Sequence, residues 1–526
     1  MKVLDCAVMQ KADRQMVEKY SFPGAVLMES AGMRAVEFIA AQLPQGAKVV
    51  ILSGPGNNGG DGLVIARQLS RAGYSASLWS TEKAGAYRGD ASVNEKHLQK
   101  ISYPLNRLTE PNDLDLFRDE IDSADILVDA LFGIGLDRDI SGLYEKVIET
   151  VNAGRKPVLA IDIPSGINAD TGAVMGCAVR ANWTITYAFP KKGLFMYPGA
   201  EHTGKVLVGD INIPDFLVED EKVELLTHEF IRNNLPPRPA DSHKFSLGST
   251  LIVAGSVGMT GAAVLAAQSA LQSGSGIVYL AAPRSVCSAM ETKLVEVISV
   301  PLPEKEDGII DPKAVDIIIE KAKNCDAMAV GPGLDTGQST SDLLYKLVQL
   351  SPIPLVLDAG ALGALGSKMN MLRSARHQPV VTPHPGEMAR LIGKTAQQVQ
   401  SNRLETAMVN ASLWNCIVVL KGPNTVIATP EGRARINPTG SPVLATAGSG
   451  DILTGMIASF ISQGMTSEKA AAAAAYLHGL AGDLLPAGRG HMARDILDRF
   501  KDAFLYLEKC ECGYQGNPYL KWVRPV

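Results

Sequence analysis

Short apolar runs that end in glycine and lead into helical patterns recur along the chain, and this alternation restricts the fold more than any other feature. In the first half, four such runs have the length and composition of buried strands, at residues 48–54, 125–133, 157–166 and 183–189. A helical pattern follows the first run and ends at Gly73. Strands that alternate with helices form βαβ units, so we predict an α/β fold with a parallel, doubly wound sheet.

The second half repeats the alternation. Six further runs are predicted as strands, at residues 249–256, 276–283, 326–334, 354–360, 379–387 and 416–425. A charged run at residues 218–225 and a proline-rich stretch at residues 235–244 separate the two halves, which is typical of a domain junction. We therefore predict two α/β domains, over residues 1–220 and 226–507, and a loose tail over residues 508–526, where no periodic pattern is present.

The composition gives no electrostatic reason to expect a nucleic-acid or anionic-membrane partner. Lys and Arg number 50 and Asp and Glu 55 among 526 residues, a net charge of −5. The seven cysteines have neither paired spacing nor a zinc-binding arrangement with histidine. Polar residues interrupt the charge-free stretch at residues 245–283 well short of the ~20 apolar residues of a membrane span. Because Asp5 precedes any apolar run, we expect no secretory signal and a cytoplasmic location.

The first candidate site is the glycine-rich segment at residues 54–62, between the first predicted strand and the helix from Leu63. Its glycines allow the backbone to approach a ligand, and the helix N-terminus favours a phosphate. Asn57, Asn58 and Asp61 add polar side chains. The segment is neither a P-loop nor a GxGxxG motif, and the alternative interpretation is a turn with an Asx cap.

Carboxylates follow two later strands of the first half. Asp129 precedes the glycine-containing loop at residues 133–139, and Asp162 precedes Ser165. Carboxylates at adjacent strand ends bind a cation or move protons. Asp129 and Asp162 could equally cap loops.

In the second half, Gly448, Ser449, Gly450 and Asp451 precede a long apolar helix. Small residues at such a helix start leave backbone N–H groups free for an anion. Asp451 is then either a general base beside a phosphoryl group or a side chain that complements the helix dipole. The segment at residues 421–425 offers a lysine and small polar groups for phosphates, and His384 is held between two prolines at a strand end.

Eight motifs together resemble one family, the bifunctional NAD(P)H-hydrate repair enzymes. They are GPGNNGGDG, DALFGIGL, AIDIPSG, SHK followed by glycine after three residues, GPGL, TPHPGE, KGPNT and AGSGD. The resemblance extends from about residue 10 to about residue 505. It implies a Rossmann-like N-terminal domain that epimerises NAD(P)HX, the hydrated form of NAD(P)H. It also implies a ribokinase-like C-terminal domain that dehydrates the S epimer to NAD(P)H in a nucleotide-dependent reaction.

The resemblance assigns roles in the epimerase domain motif by motif. The implied substrate-binding residues are Asn57, Asn58, Gly59, Gly60, Asp61, Gly133, Ile134, Gly135, Leu136, Asp137, Arg138, Asp139 and Asp162. Asp162 is also implied to be catalytic and to handle the proton. The implied potassium ligands are Asn58, Asp129 and Ser165, which are oxygen donors as a hard cation requires.

The resemblance assigns the dehydratase residues in the same way. The implied hydrated-nicotinamide site consists of Ala262, Gly333, His384 and Asp451, with Asp451 catalytic. The implied nucleotide site consists of Lys421, Gly422, Pro423, Asn424, Thr425 and Gly450. One position departs from the family, because Asp358-Ala359-Gly360 stands where Asp-Ala-Asp is usual.

The resemblance further implies K⁺ for the epimerase, ADP as co-substrate with ATP as the alternative, and Mg²⁺ with the nucleotide. We expect a homo-oligomer whose ligands are NAD(P)HX and ADP. The competing interpretation is a ribokinase-type small-molecule kinase with a non-catalytic N-terminal ligand-binding module. The presence of Asn58, Asp129 and Asp162 argues against an N-terminal domain that has lost catalysis.

Overall fold

The computed structural model describes residues 1–305, 307–509, 513–514 and 517–523, and the chain divides into two compact units. The division falls between Glu221 and Lys222, inside the charged run. No described helix combines the length and hydropathy of a membrane span.

The first unit alternates helices and strands from its N-terminus. Its helices are α1 (Cys6–Glu18), α2 (Gly24–Gln42), α3 (Asn57–Arg71), α4 (Gly89–Lys100), α5 (Asp113–Asp122) and α6 (Leu143–Ala153), with short 3₁₀ helices at Lys192–Leu194, Gly199–Glu201 and Asp215–Val218. Its strands are β1 (Lys48–Ser53), β2 (Ser75–Ser80), β3 (Leu105–Arg107), β4 (Ile126–Ala130), β5 (Val158–Ile161), β6 (Trp183–Tyr187) and β7 (Lys205–Gly209).

The second unit contains most of the helices. They are α7 (His228–Asn234), α8 (Thr260–Gln272), α9 (Arg284–Glu291), α10 (Val315–Ala322), α11 (Gln338–Leu350), α12 (Gly360–Leu365), α13 (Pro385–Ile392), α14 (Ala396–Ser401), α15 (Arg403–Trp414), α16 (Ser449–Ser462), α17 (Ser467–Asp483), α18 (Ala493–Asp498) and α19 (Phe500–Lys509), with 3₁₀ helices at Pro312–Ala314, Gly366–Ser374 and Pro442–Leu444. Its strands are β8 (Val223–Leu225), β9 (Ser249–Val253), β10 (Ile277–Pro283), β11 (Ile298–Leu302), β12 (Ala327–Val330), β13 (Leu355–Leu357), β14 (Val380–Val381), β15 (Ile417–Leu420), β16 (Val426–Ala428) and β17 (Ala434–Ile436).

Both sheets are mainly parallel and are covered on both faces, as the sequence predicted. The first runs β3-β2-β1-β4-β5-β6-β7, and all of these pairs are parallel. Along β1, Val49 and Ile51 belong to one core cluster, whereas Val50 and Leu52 belong to another. Successive side chains of a strand point to opposite faces, so helices bury both sides of this sheet.

The second sheet has the order β11-β10-β9-β12-β13-β14-β15-β16-β17-β8. It is parallel from β11 to β15, antiparallel at β16 and β17, and parallel again between β17 and β8. On β9, Ile252 packs in one core cluster, and Leu251 and Val253 pack in the other. The charge-free stretch of the sequence therefore forms β9, α8 and β10 rather than a membrane helix.

The C-terminal end differs from the predicted tail over residues 508–526. Helix α19 continues to Lys509, and β18 (Gly513–Tyr514) and β19 (Asn517–Trp522) then join the sheet of the first unit. Strand β19 pairs antiparallel with β7, with Leu520 opposite Gly209. Leu520 is fully buried in the core of the first unit. No local pattern in the sequence marks this strand. Its pairing depends on β7, a strand far earlier in the chain, and such a long-range contact cannot be inferred from the six residues alone.

Candidate active sites

The site of the first unit is a cavity of about 800 Å³ at the C-terminal end of its sheet. Ligands of parallel sheets bind at this end. The predicted residues that line the cavity are Asn57, Asn58, Asp61, Gly133, Ile134, Gly135, Leu136, Asp137, Arg138 and Asp162. The predicted loop at residues 133–139 and the start of α3 are thus brought together by the fold.

Gly59, Gly60 and Asp139 do not line this cavity. The two glycines have a packing role instead. A Cβ atom at Gly59 would lie 1.9 Å from the Gly54 carbonyl oxygen, and one at Gly60 would lie 2.6 Å from Met28 Cε. Any side chain at these positions would push the first turn of α3 away from β1 and α2.

Asp162 is paired with a lysine that the sequence analysis missed. Lys191 Nζ lies 2.5 Å from Asp162 Oδ1, and the Lys191 side chain is only 1% exposed. The ammonium also donates to Thr186 Oγ1 and to the Tyr187 carbonyl oxygen, each at 3.1 Å. Asp162 itself has a φ of +65°. The position of Lys191 two residues beyond the predicted strand at residues 183–189 was the available signal.

Asp13 and Tyr187 also line the cavity without having been predicted. Burial raises the pKa of Asp13 to about 6, and Lys191 partly opposes this effect. Burial and repulsion from Asp162 and Asp13 hold the pKa of Asp61 well above its ordinary value. The buried Tyr187 hydroxyl has no hydrogen-bond partner among the described residues. Asp13 escaped prediction because α1 is distant in sequence from every strand end.

The three predicted potassium ligands lie beside the cavity. Asp129 Oδ1 is 2.6 Å from Ser165 Oγ, and Asp129 Oδ2 accepts from the Ser165 backbone N–H at 2.8 Å. Burial raises the pKa of Asp129, and its hydrogen bonds with Ser165 partly counteract that effect. Both amide atoms of Asn58 are buried, and no described group satisfies them. The Phe132 N–H donates to Ser165 Oγ at 2.8 Å, and a Cβ atom at the next residue, Gly133, would lie 3.1 Å from Asn58 Cβ. A buried, unpartnered carboxamide oxygen in the same region as a carboxylate and a hydroxyl fits a hard monovalent cation.

The site of the second unit surrounds Lys421 at the end of β15. Lys421 Nζ is 2.7 Å from Asp358 Oδ1 and 3.9 Å from Glu387 Oε2. Thr382 and Thr454 donate to the two oxygens of Asp358, at 2.7 and 2.8 Å. Burial acts to lower the Lys421 pKa, but Asp358 and Glu387 outweigh it and raise the pKa above its ordinary value. The lysine therefore remains a cation.

The first turn of α16 adjoins this lysine. A Cβ atom at Gly450 would lie 3.2 Å from Lys421 Nζ, so the absence of a side chain brings the helix backbone against the ammonium. Burial, followed by repulsion from Asp358, raises the pKa of Asp451 to about 7. Ser449 Oγ is directed to the buried His478, with 3.1 Å to Nε2. The Ser449 N–H donates to the Thr446 carbonyl oxygen at 3.3 Å, so the N–H groups of Gly450 and Asp451 and the Asp451 carboxylate are the groups of this turn that remain for a ligand.

Arg403, which was not predicted from the sequence, contacts the backbone at the start of the segment at residues 421–425. This buried guanidinium donates to the carbonyl oxygens of Leu420 and Lys421, at 3.0 and 3.3 Å. A Cβ atom at Gly422 would lie 2.8 Å from Arg403 Nη1, and Gly422 has a φ of +140°. The Thr425 hydroxyl donates a hydrogen bond to the Gly422 carbonyl oxygen at 2.9 Å. These contacts fix the backbone of the segment.

His384 caps α13. Its Nδ1 accepts hydrogen bonds from the backbone of Gly386 and Glu387, at 3.0 and 3.3 Å, and Glu387 Oε2 accepts from the His384 N–H at 2.8 Å. Burial lowers the His384 pKa, and the Glu387 carboxylate partly offsets this. The neutral ring thus holds its proton on Nε2 and links Glu387 to the strand end.

Ala262 and Gly333 form a separate close contact, since a Cβ atom at Gly333 would lie 3.3 Å from Ala262 Cβ. The glycine at position 360, where the family usually has aspartate, is explained by a close contact with the backbone just after Gly333. A Cβ atom at Gly360 would lie 2.2 Å from the Leu334 carbonyl oxygen. A side chain at residue 360 is excluded by this backbone contact, and the charge of the site comes from Asp358, Glu387 and Asp451.

Two families match the chain, one in each unit. The family described as YjeF-related protein N-terminus matches residues 24–193, and the family described as NAD(P)H-hydrate dehydratase matches residues 250–501. A bifunctional NAD(P)H-hydrate repair enzyme from Moorella thermoacetica is 42% identical, over 95% of this chain and 96% of that protein. A protein of the same name from Thermofilum pendens is 38% identical, over 93% of both chains.

Among solved structures, the ADP/ATP-dependent NAD(P)H-hydrate dehydratase from Bacillus subtilis, co-crystallised with ATP and Mg²⁺, is 31% identical. The similarity covers 54% of this chain and 99% of that chain, with a TM-score of 0.46.

Proposed function

The chain belongs to the bifunctional NAD(P)H-hydrate repair enzymes, and from this we propose that each unit carries one of the two activities at the site described above. The first unit is assigned the epimerisation of NAD(P)HX, and the second its ADP- or ATP-dependent dehydration to NAD(P)H. The observation that carries the proposal is the presence of two separate charged clusters at parallel strand ends. Each lies in a unit that a different family matches.

In the epimerase unit, the cavity receives the hydrated ring. Addition of water to an enamine places the hydroxyl on the carbon next to the ring nitrogen, so loss of that hydroxyl leaves positive charge on the ring. The Asp162 carboxylate, held by Lys191, stabilises this charge. The loop at residues 133–139 covers the substrate, and the start of α3, with Asn57 and Asn58, positions it.

Asn58, Asp129 and Ser165 are the residues that would hold K⁺. The fit rests on the unpartnered Asn58 carboxamide and on the carboxylate and hydroxyl oxygens beside it. A bound K⁺ would supply positive charge near the N-terminus of α3, where it would favour binding of the substrate phosphates. Ser165 joins β4 to the loop after β5 through its hydrogen bonds with Asp129 and Phe132, and a bound cation would join Asn58 of α3 to them.

In the dehydratase unit, the nucleotide phosphates lie between residues 421–425 and the N-terminus of α16. Phosphoryl transfer to the ring hydroxyl converts it into a leaving group. Asp451 takes the hydroxyl proton, and Lys421 and the backbone N–H groups neutralise the charge on the transferred group. The C–O bond then breaks as phosphate leaves, and loss of a proton from the neighbouring carbon restores the double bond.

Ala262, Gly333 and His384 are assigned to the hydrated nicotinamide. ADP is the proposed nucleotide, with ATP as the alternative, and Mg²⁺ accompanies it. Asp451, Asp358 and Glu387 are the carboxylates of this site that lie close enough to influence Lys421. The proposed ligands are thus NAD(P)HX and a nucleotide, and the homo-oligomer stays a prediction.

The test uses the two epimers of hydrated NADH, separated by chromatography. The R epimer alone should convert to a mixture of epimers without nucleotide, and the S epimer should return to NADH only with ADP or ATP. A ribokinase-type kinase would consume nucleotide without producing NADH, and would contradict the proposal.

A further inference from the structure

Among the ionisable groups that line the cavity of the first unit, four from four different elements act on one another electrostatically. Asp13 comes from α1, Asp61 from α3, Asp162 from the end of β5, and Lys191 from beyond β6. Asp13, Asp61 and Asp162 thus lie within the influence of one ammonium, that of Lys191. Carboxylates this close raise one another's pKa.

Two of the four groups are already committed to each other. A lysine ammonium has three N–H donors, and Lys191 uses all three, on Asp162, Thr186 and Tyr187. Asp162 Oδ1 also accepts from Thr186 Oγ1 at 3.1 Å and from the Tyr187 N–H at 3.4 Å. These contacts hold the ammonium against Asp162 Oδ1, so Lys191 has no N–H left to give to a substrate.

The other two carboxyl groups have no such partners. Within the described parts of the chain, neither Asp13 nor Asp61 takes part in a hydrogen bond or an ion pair, and both line the cavity. Asp61 lies deeper, and burial and its neighbours hold its pKa well above the ordinary value. Asp13 has a pKa of about 6, so both of its protonation states are accessible near neutral pH.

The helix α1 holds Asp13 on its inner face. Met9, Ala12 and Met16 are buried in the core of the first unit. Asp13 lies four residues after Met9 and three before Met16, on the same side of the helix. Packing of these apolar side chains thus directs the Asp13 carboxyl group into the cavity. Asp13 also lies outside residues 24–193, the part of the unit that the family match covers.

We propose that Asp13 is the residue that carries the proton during epimerisation, an inference that rests on the function proposed for this unit. The protonated carboxyl group gives its proton to the ring hydroxyl, the C–O bond breaks, and water leaves. The lone pair of the ring nitrogen forms the C=N bond of an iminium ion. The planar ring then turns over in the cavity, so that water adds from the Asp13 side to the opposite face of that carbon, and the proton that this water loses returns to the Asp13 carboxylate.

The remaining cavity groups have supporting roles in this sequence. The Asp162 carboxylate, held by Lys191, places negative charge near the iminium ion, and Asp61 lines the same cavity with a pKa well above its ordinary value. Asp13 is the group that changes its protonation state and returns to the starting state at the end of each cycle.

The experiment compares D13N, D13E, D61N and a control, D115N, in the full chain. Asp115 is an 84% exposed carboxylate on α5 with a surface ion pair, so D115N makes the same chemical change outside the cavity. Epimerisation is measured with the R epimer in the absence of nucleotide. Dehydration is measured separately with the pure S epimer and ADP, which reports whether the rest of each variant is intact.

D13N should lose at least ~100-fold in epimerisation, the usual contribution of general acid–base catalysis, and D13E should recover part of that loss. D115N should be unchanged, and all four variants should dehydrate the S epimer normally. D13N activity within about threefold of the wild type would overturn the inference, as would a large loss in D61N with none in D13N. If the wild-type chain itself fails to epimerise, the proposed function fails instead.

Discussion

Lys421 donates to Asp358 across 2.7 Å, and this buried pair determines the electrostatic environment of Asp451. Asp358 is only 1% exposed, so water screens its charge poorly. Its repulsion adds to the effect of burial and raises the Asp451 pKa to about 7, whereas Lys421 acts in the opposite direction. The proposed general base is thus poised to change its charge near neutral pH.

The rate of dehydration should therefore depend on pH through Asp451. A base acts only when it is deprotonated, so kcat/KM for the S epimer should fall about tenfold per pH unit below about 7. The groups that face Asp451 are Asp358, Glu387 and Lys421, and D358N should move the midpoint to lower pH by removing the repulsion. The measurement is a pH profile for both proteins at constant ionic strength. An unchanged midpoint in D358N, with the variant folded, would contradict the electrostatic explanation.

Asp451→Asn should abolish dehydration while stabilising the second unit. Removal of the base should cost at least ~100-fold in turnover, with nucleotide binding and epimerisation retained. The folded-state pKa exceeds the ordinary value of 3.8, so the wild-type chain loses stability as the pH rises from about 4 to about 7. Three pKa units correspond to at most about 4 kcal/mol, which the variant regains at pH 8.

Calorimetry at pH 8 checks this, with the transition of the second unit identified by its shift on ADP addition. If Asp451 served only the helix dipole, the variant would instead lose ~0.3–1 kcal/mol and turn over normally.

The residues at the strand ends could be predicted from the sequence, whereas the side chains that contact them from other parts of the fold could not. Asn58, Asp162 and Lys421 stand directly in motifs next to apolar runs, so their position could be inferred from the rule that ligands bind at strand ends. The side chains of Lys191 and Arg403 form hydrogen bonds with residues of those motifs from other positions in the chain. Asp13 lines the cavity from a helix that precedes the first strand. Such contacts depend on tertiary packing, which no local pattern encodes. The C-terminal strand was missed for the same reason.

Epimerisation should be activated by potassium through Asn58. The variant Asn58→Leu keeps the approximate shape of the side chain and removes the two buried amide atoms that lack partners. It should abolish potassium activation, with dehydration unchanged. The measurement is R-epimer conversion in KCl against choline chloride at equal ionic strength. A variant that responds to potassium as the wild type does would place the cation elsewhere.

Deletion of residues 511–526 should destabilise the first unit selectively. The deletion exposes the edge of β7 and removes Leu520, whose complete burial contributes about 1.5–3 kcal/mol. The first-unit transition should therefore shift downward, and a fragment of residues 1–225 should epimerise hydrated NADH weakly unless a synthetic peptide of residues 511–526 is added. Equal stability and activity with and without the peptide would show that β19 contributes nothing.

Arg403→Met should weaken nucleotide binding. The guanidinium holds the carbonyls of Leu420 and Lys421, and a planar trans peptide then fixes the direction of the following N–H groups. Loss of this support should raise KM for ADP about tenfold or more, and lower kcat less. The control is Arg373→Met, since Arg373 also donates to a carbonyl, that of Leu413, but is exposed. A kcat loss with unchanged KM would contradict the positioning role.

The central claim is that one chain repairs both epimers with two independent sites. The most direct measurement is a progress curve of NADH absorbance for a mixture of R and S hydrated NADH, with ADP, Mg²⁺ and K⁺ present. The wild-type chain should convert the whole mixture, because epimerisation replenishes the S epimer as dehydration removes it. Asp451→Asn should return no NADH while still equilibrating the epimers. A wild-type curve that stops at the S fraction, or no NADH with either ADP or ATP, would contradict the account.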